Sequence, residues 1–189
     1  MRDRLRTIYY RIKYQHLLKK ATIGKATRIR CRLQIRGPGK ITIGAGCIFE
    51  PDPWGDDYIT LYTHQPEAQI TIGNRVVLRA TRFGCHKSIT VGDESVLENV
   101  SIYDSDFHNI DATKRDQNFN EGDRNVVIGA ETYLGCECLC SKGTVVGQQT
   151  ILLPASVIGT KTIPGGKITC GNPARVIGVS ARKIMGVIS

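Results

Sequence analysis

The second half of the chain repeats a pattern of apolar and small residues with a period of six. From Ile128 the sequence divides without gaps into the steps IGAETY, LGCECL, CSKGTV, VGQQTI, LLPASV and IGTKTI. An aliphatic residue or Cys opens every step, and Thr, Ser or Cys stands fifth. Side chains alternate between the two faces of a strand, so each step predicts a short strand with one large and one small side chain turned inward. Three such strands close a triangular coil, and coils must stack to bury their inner faces.

The same pattern begins earlier in a less regular form, with IGKATR at Ile23, IGAGCI at Ile43, IGNRVV at Ile72 and VGDESV at Val91. We therefore predict an all-β protein, a left-handed parallel β-helix of about five coils within residues 21–173. Two polar segments interrupt the period, and we expect extruded loops over 49–69 and 103–126, because functional residues often lie on loops of a rigid scaffold. The tail, 174–189, lacks the period and is predicted to close the last coil.

Residues 1–20 follow a helical pattern instead, in which the apolar residues are Leu5, Ile8, Tyr9, Ile12 and Leu17. Seven Lys and Arg against Asp3 alone give this predicted amphipathic helix a charge of +6. Two roles for the helix stay open. Its apolar face packs on the first coil as a cap, or the helix rests on an anionic membrane surface.

The positive charge of the chain is concentrated at one end. The formal net charge is +9, but residues 1–40 hold 13 Lys and Arg against Asp3, so the remainder carries −3. We find no helix-turn-helix, zinc-finger or RNA-stacking motif and predict no nucleic-acid partner. No apolar run approaches the roughly 20 residues of a membrane span, and no signal peptide opens the sequence. Seven cysteines without compact spacing fit a reducing compartment, so we expect a cytoplasmic protein.

The repeat region also resembles a known family. The stretch from Val126 to Gly178, which ends in GNPARVIG, is similar to the C-terminal half of the hexapeptide-repeat acyltransferases, including galactoside acetyltransferase and the O-antigen and capsule O-acetyltransferases. Upstream, LENVSIYDSDFHNID resembles the family segment in which an Asn precedes the loop bearing the catalytic His. The resemblance implies a homotrimer that transfers an acetyl group from acetyl-CoA to a hydroxyl of a sugar or polysaccharide precursor.

Carried over residue by residue, the resemblance places His108 at the catalytic base, Asn99 on the acceptor side and Tyr133 where the family usually has Trp beside the active site. It implies coenzyme A contacts at Gly135, Cys136, Lys161 and Arg175. The sequence departs from the family at Pro154, which replaces a small residue near the pantetheine path.

The residues themselves support His108. Acetyl transfer to a hydroxyl needs a base, and histidine suits this role at neutral pH. His108 lies in the second predicted loop among Asp104, Asp106 and Asn109. Either aspartate can orient the imidazole through its other nitrogen, and we take Asp106 as the candidate. Backbone N–H groups at a coil corner are expected to stabilise the oxyanion.

Two other functions stay open. His64, His86 and His108 recur every 22 residues, which raises a zinc enzyme similar to the γ-type carbonic anhydrases. That spacing exceeds one coil, and the motif of two nearby histidines is absent. The second alternative is a non-catalytic binding scaffold.

A metal site is not predicted among the three alternating thiols that follow Gly135. The six-residue register turns Cys138 and Cys140 into the core and leaves only Cys136 outside. Buried cysteines commonly behave as small apolar side chains.

Overall fold

The computed structural model describes residues 2–53, 55, 57–106, 112–114 and 125–180. A helix, α1 (Arg2–Arg11), continues as a π-helical segment, Ile12–Leu17, and a 3₁₀ turn spans Ala112–Lys114. Twenty-one strands make up the rest of the regular structure in this part of the chain. In chain order they are β1 (Ala21–Ile23), β2 (Arg28–Ile29), β3 (Arg32–Arg36), β4 (Lys40–Ile43), β5 (Ile48–Glu50), β6 (Tyr58–Thr63), β7 (Gln69–Ile72), β8 (Val77–Arg79), β9 (Arg82–Cys85), β10 (Ser88–Val91), β11 (Val96–Glu98), β12 (Ser101–Tyr103), β13 (Val126–Ile128), β14 (Tyr133–Leu134), β15 (Leu139–Cys140), β16 (Val145–Val146), β17 (Ile151–Leu152), β18 (Val157–Ile158), β19 (Thr162–Ile163), β20 (Lys167–Cys170) and β21 (Arg175–Val179).

The strands form three parallel sheets that the chain visits in turn. Sheet A has the order β1-β4-β7-β10-β13-β16-β19, sheet B has β2-β5-β8-β11-β14-β17-β20-β21, and sheet C has β18-β15-β12-β9-β6-β3. Each strand from β4 to β20 therefore pairs with the strand three earlier in chain order, which lies in the preceding coil. Among these strands, only β21 runs antiparallel to its neighbour. The predicted left-handed parallel β-helix is confirmed. We name its edges the A–B, B–C and C–A corners after the sheets that they join.

The inward positions of the six-residue step form the core. Leu134, Cys140 and Leu152 are fully buried, and so are the small residues Thr144 and Thr150. The buried hydroxyls are paired, because Thr144 Oγ1 donates to the Ile158 carbonyl at 3.0 Å and Thr150 Oγ1 to the Pro164 carbonyl at 3.2 Å. A small polar residue in this column thus satisfies a corner carbonyl as well as filling space.

Glycines stack at the A–B corner because successive coils approach closely there. A Cβ built on Gly92 would lie 2.4 Å from the Ala130 nitrogen, and one on Gly129 would lie 2.4 Å from the Gln148 nitrogen. Backbone atoms cannot move aside as a flexible side chain can. The recurring Gly of the sequence pattern is therefore set by the contact between coils.

The first predicted loop, 49–69, is wrong over most of its length. Tyr58–Thr63 is strand β6, which buries Ile59, Leu61 and Thr63 and points its other side chains outward. This two-residue alternation of β-branched and aromatic residues is a strand pattern without the glycine of the six-residue step. The described residues between β5 and β6, which are 51–53, 55 and 57, lie outside the strands. The coils are also more numerous than the expected five, because sheet C contains six strands and sheet A contains seven.

The sixth step of the predicted repeat is also out of register. The C–A corner after Ile158 is one residue shorter than predicted, so Thr162 pairs with Val145 and Ile163 pairs with Val146. Thr162 is consequently exposed, whereas Ile163 takes the inward position. Within the predicted closing segment, 174–189, strand β21 adds to the edge of sheet B; residues 181–189 lie outside the described part.

The N-terminal helix is confirmed, but the face that it turns to the coils is the polar one. Tyr14 is 4% exposed and donates its hydroxyl to the Leu33 carbonyl at 3.0 Å, and Arg11 donates to the Gly24 carbonyl at 2.9 Å. The helix therefore covers the first coil, but the expectation that it does so with its apolar face is wrong. None of the described helices is long and apolar enough to cross a membrane.

The glycine column gives a direct test of this packing. Gly129→Ala should lower the free energy of unfolding by about 1–3 kcal/mol, because the new methyl group meets the backbone of the next coil. Gly178→Ala is the matched control, since its Cβ would make only ordinary contacts, the nearest at 3.7 Å from Ile168 Cδ1. Urea unfolding measures both, and equal stability of the two variants would contradict the packing account.

Candidate functional site

The C–A corner of the middle coils brings together polar residues from well-separated parts of the chain. His64 follows β6 and His86 follows β9, and the register that pairs Thr63 with Cys85 sets the two histidines side by side. Their ring centroids are 4.1 Å apart, with the planes tilted by 32°. Tyr62 meets His64 edge-on at 4.3 Å.

Asp104, which follows β12, stabilises this corner through hydrogen bonds to the backbone. The residue is fully buried, and its two carboxylate oxygens accept the backbone N–H groups of His86 and Lys87, each at 2.7 Å. Hydrogen bonds to backbone donors are the usual requirement for burying a charge. Asp104 thus fixes the turn that carries His86, whereas the sequence suggested it only as a partner of His108.

Asp106 forms an ion pair with Lys142 of the following coil. Both side chains are about three-quarters covered, with 27% and 22% of their surface exposed. The pair closes the upper side of the corner, just after β12. His108, the predicted base, lies outside the described residues.

His64 is neutral in this setting. Burial, and then the neighbouring His86, lower the pKa of His64 to about 4, while Asp104 opposes the shift. A neutral imidazole at physiological pH can accept a proton or a hydrogen bond. The corner therefore contains a histidine in the basic form.

A second polar region occupies sheet B and the B–C corner. The strand register aligns Glu50, Arg79 and Glu98 in a row of alternating charge, in which Arg79 binds Glu50 at 2.8 Å and also pairs with Glu98. A cavity of about 730 Å³ opens beside this row, a volume suited to a small ligand. Its charged lining consists of Asp3, Arg30, Glu50, Asp52, Arg79 and Glu98.

Tyr133 and Cys136 lie at this second region. The Tyr133 hydroxyl donates to Glu98 Oε2 at 2.6 Å, and burial together with that bond raises the pKa of the phenol above its ordinary value. Cys136 is exposed, lines the cavity and lies 3.9 Å from the same carboxylate oxygen. Partial burial and Glu98 also raise the pKa of the Cys136 thiol, which keeps it protonated and poorly nucleophilic.

Asn99 occupies a left-handed turn position at the B–C corner, with φ of 46°. Ala80, Glu137 and Ala155 take the same conformation at this corner in other coils. Its N–H donates to the Arg79 carbonyl at 2.7 Å, and its carbonyl accepts from Glu137 at 3.1 Å. The turn therefore does not depend on an asparagine side chain.

The residues predicted to contact coenzyme A separate into two groups. Gly135 is needed for packing, because a Cβ there would lie 2.9 Å from Cδ of Pro154. The departure from the family at Pro154 is thus matched by the absence of a side chain above it. In the last coils, Lys161 Nζ lies 3.4 Å from the carbonyl of Ala174, next to the exposed Arg175.

One chain therefore brings together some of the predicted residues and separates others. Asp106 lies at the C–A corner, whereas Asn99 and Cys136 lie at the B–C corner, at the opposite end of the strands of sheet C. Lys142 and Glu98 were not predicted. The expectation that a spacing of 22 residues exceeds one coil is wrong for His64 and His86, because the coil that pairs Thr63 with Cys85 is itself 22 residues long. The strand register could have predicted Lys142. Ile102 pairs with Cys140, so the polar residues that follow these two strands meet at the same corner.

Within the described ranges, no group of three or more His, Cys, Asp and Glu side chains is arranged to hold a metal ion. The predicted orientation of the three thiols is confirmed, with Cys138 and Cys140 buried and Cys136 exposed.

Comparison with solved structures finds a similar fold in several acyltransferases. A variant of AntD, an N-acyltransferase from Bacillus cereus in complex with dTDP and coenzyme A, is 23% identical with a TM-score of 0.69, over 90% of this chain and 91% of that one. A second AntD variant, bound to dTDP-4-amino-4,6-dideoxyglucose and coenzyme A, is 22% identical with a TM-score of 0.69, over 90% and 91% of the two chains. The hexapeptide-repeat acetyltransferase VCA0836 from Vibrio cholerae, in complex with acetyl-CoA, is 17% identical with a TM-score of 0.55, over 93% and 79%. No family model matches the chain.

The two aspartates of the C–A corner should differ in their structural importance. Asp104→Asn should lower the free energy of unfolding by about 1–3 kcal/mol, because an amide group then faces a buried N–H donor. The conservative control Asp106→Asn loses a partly exposed ion pair, which contributes about 1 kcal/mol or less. Chemical denaturation of both variants at neutral pH checks this order, and a larger loss in Asp106→Asn would overturn it.

Proposed function

We propose that the protein is an acetyl-CoA-dependent acetyltransferase that acts on a carbohydrate, with its reaction centre at the C–A corner. The observation that carries the proposal is the convergence of His64, His86, Asp104 and the Asp106–Lys142 pair at this corner, close in sequence to His108. The fold supports it, since AntD and VCA0836 were crystallised with coenzyme A and acetyl-CoA, respectively.

His108 is the proposed general base. It lies two positions after Asp106 in the sequence, and two residues of extended chain span at most about 7 Å, so we assign it to the same corner. Asp106 is the proposed orienting partner, with Lys142 holding its carboxylate in place. Asp104 is unsuited to that role because backbone donors already occupy both of its oxygens.

The reaction requires the base to take a proton from the acceptor and later to give it to the leaving thiolate. As the acceptor oxygen attacks the thioester carbonyl, His108 takes its proton, and the carbonyl becomes an oxyanion for backbone N–H groups to stabilise. Collapse of the tetrahedral adduct breaks the carbon–sulfur bond, and the imidazolium returns the proton to the departing thiolate. Cys136 takes no covalent part, because its raised pKa disfavours the thiolate.

The donor is proposed to bind along the later coils. Lys161 and Arg175 provide neighbouring positive charges for the phosphates of coenzyme A, and arginine forms strong charge-assisted bonds with phosphate. Tyr133, Gly135 and Cys136 are proposed to line the path of the pantetheine arm. These residues lie at the corner opposite to Asp106, so a neighbouring copy is required to complete the site. We accordingly propose a homotrimer.

The preferred acceptor is a sugar hydroxyl, with Asn99 on the acceptor side. A sugar amine is the second candidate, and two observations favour it. AntD is an N-acyltransferase that was crystallised with an amino sugar nucleotide. The cavity beside Tyr133 is lined by four carboxylates against two arginines, an arrangement that attracts a cation.

Acetyl-CoA turnover with a panel of sugar nucleotides and oligosaccharides tests the proposal. His108→Ala should reduce kcat by about 10² to 10⁴ while coenzyme A affinity stays near that of the wild type, because the base does not hold the donor. His16→Ala, an exposed substitution on the N-terminal helix, is the matched control. Mild alkali then separates the two acceptors, since it cleaves an acetyl ester and leaves an acetamide intact.

Full turnover by His108→Ala would move the base to another residue, with the neutral His64 the first to examine. No thioester turnover with any acceptor would favour the binding scaffold, and zinc-dependent hydration of carbon dioxide would favour the γ-type carbonic anhydrase.

A further inference from the structure

The N-terminal helix turns opposite faces to the β-helix and to the outside. On the inner face, Thr7 Oγ1 accepts the Ile29 N–H at 2.9 Å, and the guanidinium groups of Arg6 and Arg11 donate to carbonyls of the first coil. Tyr14 completes this face and is buried. The contacts fix the helix in one rotational setting, with polar groups covering the open end of the coil.

The outer face is apolar. Leu5, Ile8, Tyr9 and Ile12 follow one another at intervals of three, one and three residues and are exposed by 61%, 47%, 56% and 47%. At about 100° per residue these side chains fall within an arc of about 100°, on the side away from Tyr14. Helices of globular proteins normally bury such a stripe. Leu17 and Leu18, exposed by 73% and 49%, add to the apolar surface at the end of the π-helical segment.

Basic side chains lie close to this apolar surface. A cavity of about 490 Å³ between the helix and sheet C includes Lys13, Arg32 and Arg36 in its lining. Another, of about 430 Å³, lies beside the end of the π-helical segment and includes Lys19, Lys20 and Lys40. The first cavity also includes the exposed Leu18, so lysine and arginine lie next to an exposed aliphatic residue there, the combination found in helices that lie in the membrane interface.

The positive charge of this surface favours one of the two partners that could cover the apolar stripe, a second copy of the chain or a membrane. A second copy, packed face to face, would bring two segments of charge +6 together and would be opposed by their repulsion. A surface of anionic phospholipid offers both an apolar layer for the stripe and phosphates for the lysines. Each basic residue near such a surface adds to the attraction, and salt screens it.

We propose that residues 2–20 dock the protein on an anionic phospholipid membrane, with the helix parallel to the surface. Leu5, Ile8 and Ile12 enter the boundary between headgroups and acyl chains, and Lys13 and Lys19 meet phosphates on either side. The inner face stays on the first coil throughout, so the whole β-helix is carried at the membrane without unfolding of the cap.

Co-sedimentation with vesicles tests this docking on the full chain. The wild type should bind vesicles of phosphatidylcholine and phosphatidylserine at low salt, and at least about tenfold more weakly when phosphatidylserine is omitted or salt is raised to about 0.5 M. The combined variant Leu5→Gln, Ile8→Gln and Ile12→Gln keeps the charge and good helix formers and should lose at least about tenfold in affinity. The combined variant Val176→Thr, Ile177→Thr and Val179→Thr removes equally exposed apolar groups from β21 and should bind like the wild type.

Circular dichroism and thermal unfolding of both variants show whether the fold is retained. If the helix variant does not fold, the salt and lipid dependence of the wild type decides the question. Equal binding to neutral and anionic vesicles, or equal binding of the two folded variants, would overturn the proposal. So would absence of wild-type binding together with a dilution-dependent dimer that the helix variant abolishes, which would assign the stripe to a second copy.

Discussion

The parallel hydrogen-bond ladder between successive coils decides where the functional side chains of this protein lie. Because each strand pairs in register with the strand one coil away, equivalent residues stack in columns along the molecule. At the A–B corner the close approach of the backbones leaves no room for a Cβ on Gly92 or Gly129. On the outside, the same ladder aligns Glu50, Arg79 and Glu98 and sets His64 beside His86. The polar clusters are therefore built on a backbone that the buried columns hold rigid.

Extra residues enter this stack only at corners, where they do not break a ladder. The sequence inserted between β5 and β6 belongs to the B–C corner, beside the acid-lined cavity, and the sequence inserted between β12 and β13 belongs to the C–A corner, beside the histidine pair. Asp104 is the first residue of the second insertion and is tied by both oxygens to the coil beneath. A long insertion thus starts from a fixed point, which is what a catalytic side chain on such a segment requires.

Much of the fold could be predicted because the six-residue period in the sequence directly reflects which side chains enter the core. The strict steps after Ile128 placed Cys138 inside and Cys136 outside, as the structure has them. Strand β6 was missed because it lacks the glycine of the six-residue step, so the period alone assigns Tyr58 and Tyr62 to a loop. The alternation of these tyrosines with buried residues such as Ile59 is nevertheless regular. A single missing residue after Ile158 shifted the register in a way that periodicity does not reveal.

The candidate site was harder to predict because its contacts connect distant parts of the sequence. Lys142 pairs with Asp106 across 36 positions, and the intervening insertion conceals how the two coils align. The orientation of the N-terminal helix was concealed for a different reason. Its sequence shows an apolar stripe, but open carbonyls such as that of Leu33 select the polar face that includes Tyr14. Hydrogen-bonding demand at the end of a coil outweighs burial of the stripe there.

A crystal structure of the protein with coenzyme A tests the central claim, that acyl transfer occurs at the C–A corner of one chain completed by its neighbour. We expect a trimer of the 20.8 kDa chain, with the thiol between two chains, near Asp106 of one and Cys136 of the other. A coenzyme bound within a single chain, or with its thiol far from Asp106 and Lys142, would contradict it.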